Sequence, residues 1–236
     1  MKSVIKNLSK ESKAYYQDND YYEIFSRAED ATKEVEQYLV KAVEGKIVFD
    51  AGCGTGKYLH VVEENAKKYI GMDLSREQLK KASQKINKKE THLIQGNLKS
   101  IPLEDKSVDI IISTWVLGTI TNIEERELCL QELKRILKPA GKIILIENDE
   151  GSEFEFIRDR INNSKTKDYN DWVLAHNFTK TKIIDDYFLF ESLPQAKKCF
   201  EVIYSKEKAR KVTNKKIKHT IICFEYKRQN PSFVSI

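Results

Sequence analysis

The apolar positions change rhythm twice along the chain. Through residues 1–44 they recur at helical intervals on a polar background: Tyr15, Tyr16, Tyr21, Tyr22 and Phe25, then Val35, Tyr38, Leu39 and Val43. That spacing predicts two or three N-terminal helices, each with one buried face, and Gly45 is placed to stop the last of them. From residue 46 short β-rich runs alternate with segments whose apolar residues fall three and four apart. Strands are expected at 46–51, 68–73, 91–96, 108–113 and 142–147, with helices at 56–66, 75–86 and 123–137 between them. Such alternation argues for a parallel sheet covered on both faces by right-handed crossovers. The run Ile110-Ile111-Ile112 is apolar on both sides, as a central strand requires. Pro139 and Gly141 predict a tight turn before the fifth strand.

After Asp149 the alternation breaks. Residues 151–180 read as helices and loops carrying Phe154, Phe156, Tyr169, Trp172 and Phe178, followed by strands at 182–191 and 218–227 around a helix at 194–204. The expected architecture is a single α/β domain over residues 1–236. It divides into an N-terminal helical cap (1–44), a core (45–150), an insertion over the site (151–180) and two last strands (181–236). Seven strands result, mostly parallel, the last able to join antiparallel.

Composition narrows the class. With 40% hydrophobic and 33% charged residues the chain reads as globular with a charged surface. No apolar run approaches bilayer length, and the N-terminus lacks a signal-peptide core, so a cytoplasmic protein is expected. Cys53, Cys129, Cys199 and Cys223 form no CxxC pair, and the four histidines are scattered; neither a disulfide framework nor a metal site is expected. The net charge of +5 is densest in KEKARKVTNKKIKH, residues 206–219. Acids and apolar residues interrupt that run, so it reads as a solvated helix face and basic loop, and nucleic acid is disfavoured as a partner.

The chemistry is carried by FDAGCGTGKYL, residues 49–59, where Gly52, Gly54 and Gly56 follow a strand and Asp50. A dinucleotide fingerprint needs its third glycine where Lys57 stands. A phosphate-binding loop needs a Ser or Thr after the lysine, and Tyr58 stands there. Both phosphate readings weaken. The spacing D-x-G-x-G-x-G resembles instead the cofactor loop of class I S-adenosylmethionine-dependent methyltransferases of the small-molecule, Rossmann-like type. The segments IGMDLS (70–75), QGNLKSIPLEDKSVDIIIS (95–113) and ELKRILKPAGKIILIE (132–147) are similar to the family's later motifs, at the expected places.

The resemblance implies a Rossmann-like fold and S-adenosylmethionine as methyl donor, with S-adenosylhomocysteine as product. It further implies that Asp73 holds the ribose hydroxyls and that Asn97 and Leu98 flank the adenine. The residues themselves support part of this. Glycines let backbone approach a ligand closely, and Asp73 offers two acceptor oxygens to two neighbouring hydroxyls. Other readings stand beside these: Gly56 as a helix-start glycine, Asn97 as an Asx turn, and Ser75 as the cap of the next helix. Around the same cofactor, Asp50, Cys53, Leu74, Ser113, Thr114, Trp115 and Tyr22 are further candidates. Arg27 is the candidate clamp for the cofactor carboxylate.

The acceptor is less defined. The polar-Pro-Pro-aromatic motif that several family classes use to grip an amino group is absent, since residues 113–120 read STWVLGTI. Gly118 and Thr119 stand where small-molecule members often carry two histidines. Tyr16, Asn148, Tyr169, Trp172 and His176 are the candidate substrate contacts, along with the acids Glu147, Asp149 and Glu150. The expected reaction moves a methyl group to nitrogen or oxygen of a small metabolite, in a monomer or homodimer. RNA methylation, a nicotinamide-dependent oxidoreductase and a non-catalytic cofactor-binding protein are the alternatives.

Overall fold

The computed structural model describes residues 19–161 and 163–228; Tyr15 and Tyr16 lie outside them. The elements are α1 (Asn19–Ala28), α2 (Glu34–Val43), β1 (Ile47–Ala51), α3 (Leu59–Asn65), β2 (Lys68–Asp73), α4 (Arg76–Ser83), β3 (Thr91–Gln95), β4 (Val108–Thr114), α5 (Ile123–Ile136), β5 (Leu137–Asn148), α6 (Glu153–Ile157), α7 (Lys165–Ala175), β6 (Thr179–Leu189), α8 (Leu193–Ile203), α9 (Lys206–Lys211) and β7 (Lys216–Lys227). The strands form one seven-stranded sheet in the order β3-β2-β1-β4-β5-β7-β6. β1 to β5 run parallel, and β7 lies antiparallel between β5 and β6.

Alternation along the central strands fills both faces. Phe49, Ala51, Ile111, Ile143 and Leu145 pack into one core with Leu130 and Leu133 of α5. Val48, Ile110, Ile112, Ile144 and Ile146 pack into the other with Val35 and Leu39 of α2 and Leu59 and Val62 of α3. The triple isoleucine of β4 thus supplies both layers, because successive side chains of a strand point to opposite faces. A third cluster joins α1, α6 and α8 to β6. Phe25 and Phe154 each lie 4.7 Å from the Phe188 ring. Each such ring stabilises by about 1.5–3 kcal/mol when fully buried, and this cluster seats α1 and α6 over one edge of the sheet.

Several element boundaries differ from expectation. The helix expected from residue 56 begins at Leu59, because residues 52–58 are used by the glycine turn. The turn at Pro139–Gly141 lies within β5: Leu137 pairs with Val108, and pairing resumes at Lys142 with Ile110 after Ala140 takes φ 61°. β6 begins at Thr179 because Thr179 and Lys180 pair with Glu225 and Phe224 ahead of an irregularity. Since β1 to β5 are parallel, the loops after them open on a common edge, where α/β sheets bind ligands.

Candidate functional site

A cleft of about 670 Å³ runs along that edge. On its β1–β3 side it is lined by Gly52, Cys53 and Gly54, by Asp73 and Leu74, and by Asn97 and Leu98. On its β4–β5 side Thr114, Trp115 and Asn148 face it, and Tyr169 and Trp172 of α7 close the far wall. Tyr22 of α1 stands over the glycine turn, its hydroxyl 3.3 Å from where a Cβ on Gly54 would lie.

The glycine turn is held by backbone bonds. The N–H groups of Gly52 and Cys53 both donate to the Met72 carbonyl, at 2.8 and 3.0 Å. Gly52 has φ +80°, and a Cβ there would lie 2.5 Å from a Val116 methyl. Only glycine lets this turn meet the loop after β4 so closely.

Asp73, only 6% exposed, receives the Gly54 N–H on Oδ2 at 3.0 Å and the Ser75 N–H on Oδ1 at 2.8 Å. Burial raises its carboxyl to about 6 against these hydrogen bonds. A carboxylate has about four acceptor sites, so both oxygens keep capacity on the cleft side. Ser75 caps α4 by accepting the Gln78 N–H. Asn97 forms an Asx turn, its Oδ1 accepting the Lys99 N–H at 3.0 Å, and it faces the cleft as well.

The β4–β5 side is held by side chains. Trp115 sits at φ +55°, and its indole N–H donates to Asn148 Oδ1 at 3.0 Å. Indole nitrogen only donates, so Asn148 Oδ1 is an acceptor, and His219 Nε2, 2.8 Å away, carries the proton. His219 is fully buried and its basicity is driven well below the usual range, first by burial and then by Lys57 and Arg158. Its Nδ1 lies 3.6 Å from Glu29. Glu29 accepts from Lys57 Nζ at 2.8 Å, and Lys57 stands 4.5 Å from the Trp115 ring centroid. Burial raises the Glu29 carboxyl despite Lys57. Glu147 is 3% exposed, accepts the Tyr169 hydroxyl at 2.7 Å, and is raised to about 7 by burial.

Seven expected contacts among the described residues do not line the cleft, Asp149 and Glu150 beyond the end of β5 being two of them. Asp50 faces the same side of β1 as Val48, where it accepts the Tyr69 hydroxyl at 2.7 Å, and burial raises it to about 7. Its place is below the turn. Gly56 packs against Leu59 and Ala82, and Ser113 is fully buried on β4. Arg27 points to solvent: its side chain is 74% exposed and pairs with Glu23 at 3.1 Å. His176 lies behind Trp172; its Nε2 is 2.8 Å from Glu127, which also accepts the Trp172 indole N–H. Tyr16 lies outside the described residues. Glu29, Lys57, Arg126 and Arg158 line the cleft without having been expected there. Among them only Lys57 carried a local signal, directly behind three glycines.

Comparison with known proteins falls on the same segment. Residues 49–145 match the family described as a methyltransferase domain. That match covers much of the core of the chain, and the sheet order with its antiparallel β7 is that of the Rossmann-like class I methyltransferase fold. An uncharacterized methyltransferase of Geobacillus sp. (strain WCH70) is 30% identical over 55% of this chain and 58% of its own length. A malonyl-[acyl-carrier protein] O-methyltransferase of Marinomonas sp. (strain MWYL1) is 30% identical over 46% of this chain and 40% of its own. The chain thus spans about half the length of these curated relatives. The crystal structure of the YcgJ protein from Bacillus subtilis superposes with a TM-score of 0.59 over 83% of this chain and 98% of that one, at 15% identity. At that identity the likeness concerns fold.

Proposed function

We propose that this protein is an S-adenosylmethionine-dependent methyltransferase acting on oxygen or nitrogen of a small molecule. The observation that carries the reading is Asp73. It is a nearly buried carboxylate, fixed by the Gly54 and Ser75 N–H groups, with acceptor capacity left toward a cleft whose floor is the glycine turn. A ribose edge with two hydroxyls suits those acceptors. Gly52 and Gly54, both at positive φ, keep the backbone of the turn along the cleft beside Asp73. Met72 and Leu98 offer apolar contact beside Asn97 for a base.

In this reading Asp73 binds the ribose, and Lys57 stands at the amino-acid end of the cofactor together with Glu29 and Trp115. When bound, the cofactor supplies a methyl group activated on a cationic sulfur. The chain aligns the acceptor in line with that methyl, and the roof of α1, α6 and α7 excludes water. The fixed Nε2–H tautomer of His219 positions Asn148, which positions Trp115.

The test is incubation of the protein with methyl-labelled S-adenosylmethionine and separate pools of small molecules, RNA and protein. Label entering only the small-molecule pool is expected. Label entering only RNA or protein contradicts the acceptor class, and binding of a nicotinamide cofactor in preference to S-adenosylhomocysteine contradicts the reading itself.

A further inference from the structure

Two opposite charges face the β4–β5 end of the cleft without pairing to each other. Glu147 ends β5, where its carboxylate accepts the Tyr169 hydroxyl and the Gly118 N–H. Arg126 rises from the first turns of α5. Its Nε and Nη2 donate to the Ile120 carbonyl at 3.1 and 2.7 Å, and its guanidinium lies 5.0 and 4.9 Å from the Tyr169 and Trp172 ring centroids. Only 8% of Arg126 is exposed, yet it lines the cleft, and among the described residues no hydrogen bond or ion pair engages its Nη1. Tyr169 therefore separates the two groups, bonded to the acid through its hydroxyl and to the cation through its face. Gly118 keeps the gap open, since a Cβ there would lie 3.3 Å from both Glu147 Oε2 and Tyr169 Cε1.

A buried guanidinium with a spare donor is completed by an anion. A buried carboxylate at the wall of a methyl-transfer chamber is completed by a hydroxyl that donates to it. Arg126 already lies over a face of each of Tyr169 and Trp172, which disfavours a cationic amine at this end of the cleft. We infer that Glu147 and Arg126 form the acceptor subsite for a small hydroxy acid, with the carboxylate on Arg126 and the hydroxyl on Glu147. This rests on the methyltransferase reading above and deepens it. In the transfer, the acceptor O–H bond breaks and its proton passes to the Glu147 carboxylate. The acceptor oxygen bonds to the methyl carbon as the carbon–sulfur bond breaks, and that bond's electron pair stays on sulfur as a neutral thioether. Glu147 then returns the proton to water.

The Glu147 carboxyl stands near 7 through burial, opposed by hydrogen bonds from Tyr169 and Gly118 and by the charges of Arg126 and Arg158. The carboxylate form, able to take a proton, fills as pH rises through that value. The turnover rate of the wild type therefore climbs between about pH 6 and 8.

The experiment titrates 3-hydroxybenzoate, 3-hydroxybutyrate, their methyl esters and tyramine into the protein saturated with S-adenosylhomocysteine, then assays each with methyl-labelled cofactor. At least one free acid is expected to bind and accept label, with its ester and the amine at least tenfold poorer. Arg126→Gln is expected to raise the KM or Kd for that acid at least tenfold with a smaller change in kcat. Glu147→Gln is expected to lower kcat at least thirtyfold and abolish the climb with pH. Both variants should keep S-adenosylhomocysteine affinity within threefold of wild type, the check that they fold. Cofactor binding with neither acid bound nor labelled, or label only on the amine or esters, overturns the subsite and leaves the methyltransferase reading intact. Failure of S-adenosylhomocysteine to bind removes both.

Discussion

The two ends of the cleft are built from different materials. On the β1–β3 side, Asp73 and the turn are held by backbone: Gly54 and Ser75 N–H hold Asp73, and Met72 carbonyl holds the turn. On the β4–β5 side, side chains from the segment after α1, the glycine turn, the ends of β4 and β5, α7 and β7 hold one another: Glu29 with Lys57, Asn148 with Trp115 and His219, Glu147 with Tyr169. A backbone-built end tolerates change at few positions, because its donors cannot move. A side-chain-built end keeps the same frame while its groups are exchanged. The first suits a fixed ligand and the second a ligand that differs between relatives.

The largest expected effect tests the rigidity of the backbone-built end. Gly52→Ala places a Cβ against Val116 in a left-handed residue. Steric strain and overpacking together should cost about 2–5 kcal/mol in denaturant unfolding, and a loss below about 1 kcal/mol would mean the turn is softer than its geometry. Next, Asp73→Asn keeps the size but removes charge-assisted acceptance. Loss of about 1.5–3 kcal/mol, roughly ten- to a hundredfold in S-adenosylhomocysteine affinity, is expected by calorimetry.

Below that lies a pH effect. Asp50 is raised by burial from 3.8 to about 7. For a carboxyl raised in the folded state, the folded protein holds its proton longer than the unfolded one. The stability it contributes is full below about 4 and is lost as pH rises toward 7. Asp50→Asn should flatten the fall of unfolding midpoint between pH 4.5 and 7.5; an unchanged slope would remove Asp50 as its source. The smallest expected effect is that of Arg27→Ala, which leaves cofactor affinity unchanged and costs under about 0.5 kcal/mol of stability, as suits an exposed i,i+4 pair. A tenfold loss of affinity would return Arg27 to the site.

The same contrast explains what the amino-acid sequence revealed. The backbone-built end needs glycines at fixed spacing and an acid one strand later, and all of it lies between Asp50 and Leu98, so residue identity alone exposes it. The sheet was equally legible, since strands such as VDIIIST state both their faces. Arg126 was not. It stands in IEERELC among other charges, and its burial depends on Tyr169 and Trp172, more than forty positions away. His219 lies in a strand whose partners arrive from α1 and β5. Arg27 failed for a reason of register: two residues beyond Phe25 is about 200° around a helix, so a buried Phe25 turns Arg27 outward. His176 ends α7 and reaches Glu127 of α5 rather than the cleft. Boundaries moved where turns were absorbed into elements, as at Ala140 in β5.

The central claim is that this cleft holds an adenosyl amino acid by Asp73 and the glycine turn. Its most direct test is calorimetric titration of the wild-type protein with S-adenosylhomocysteine and, separately, with NAD. Saturable binding of one S-adenosylhomocysteine per chain, at least tenfold tighter than NAD, is the expected result. No binding of S-adenosylhomocysteine, or tighter binding of NAD, would contradict the claim.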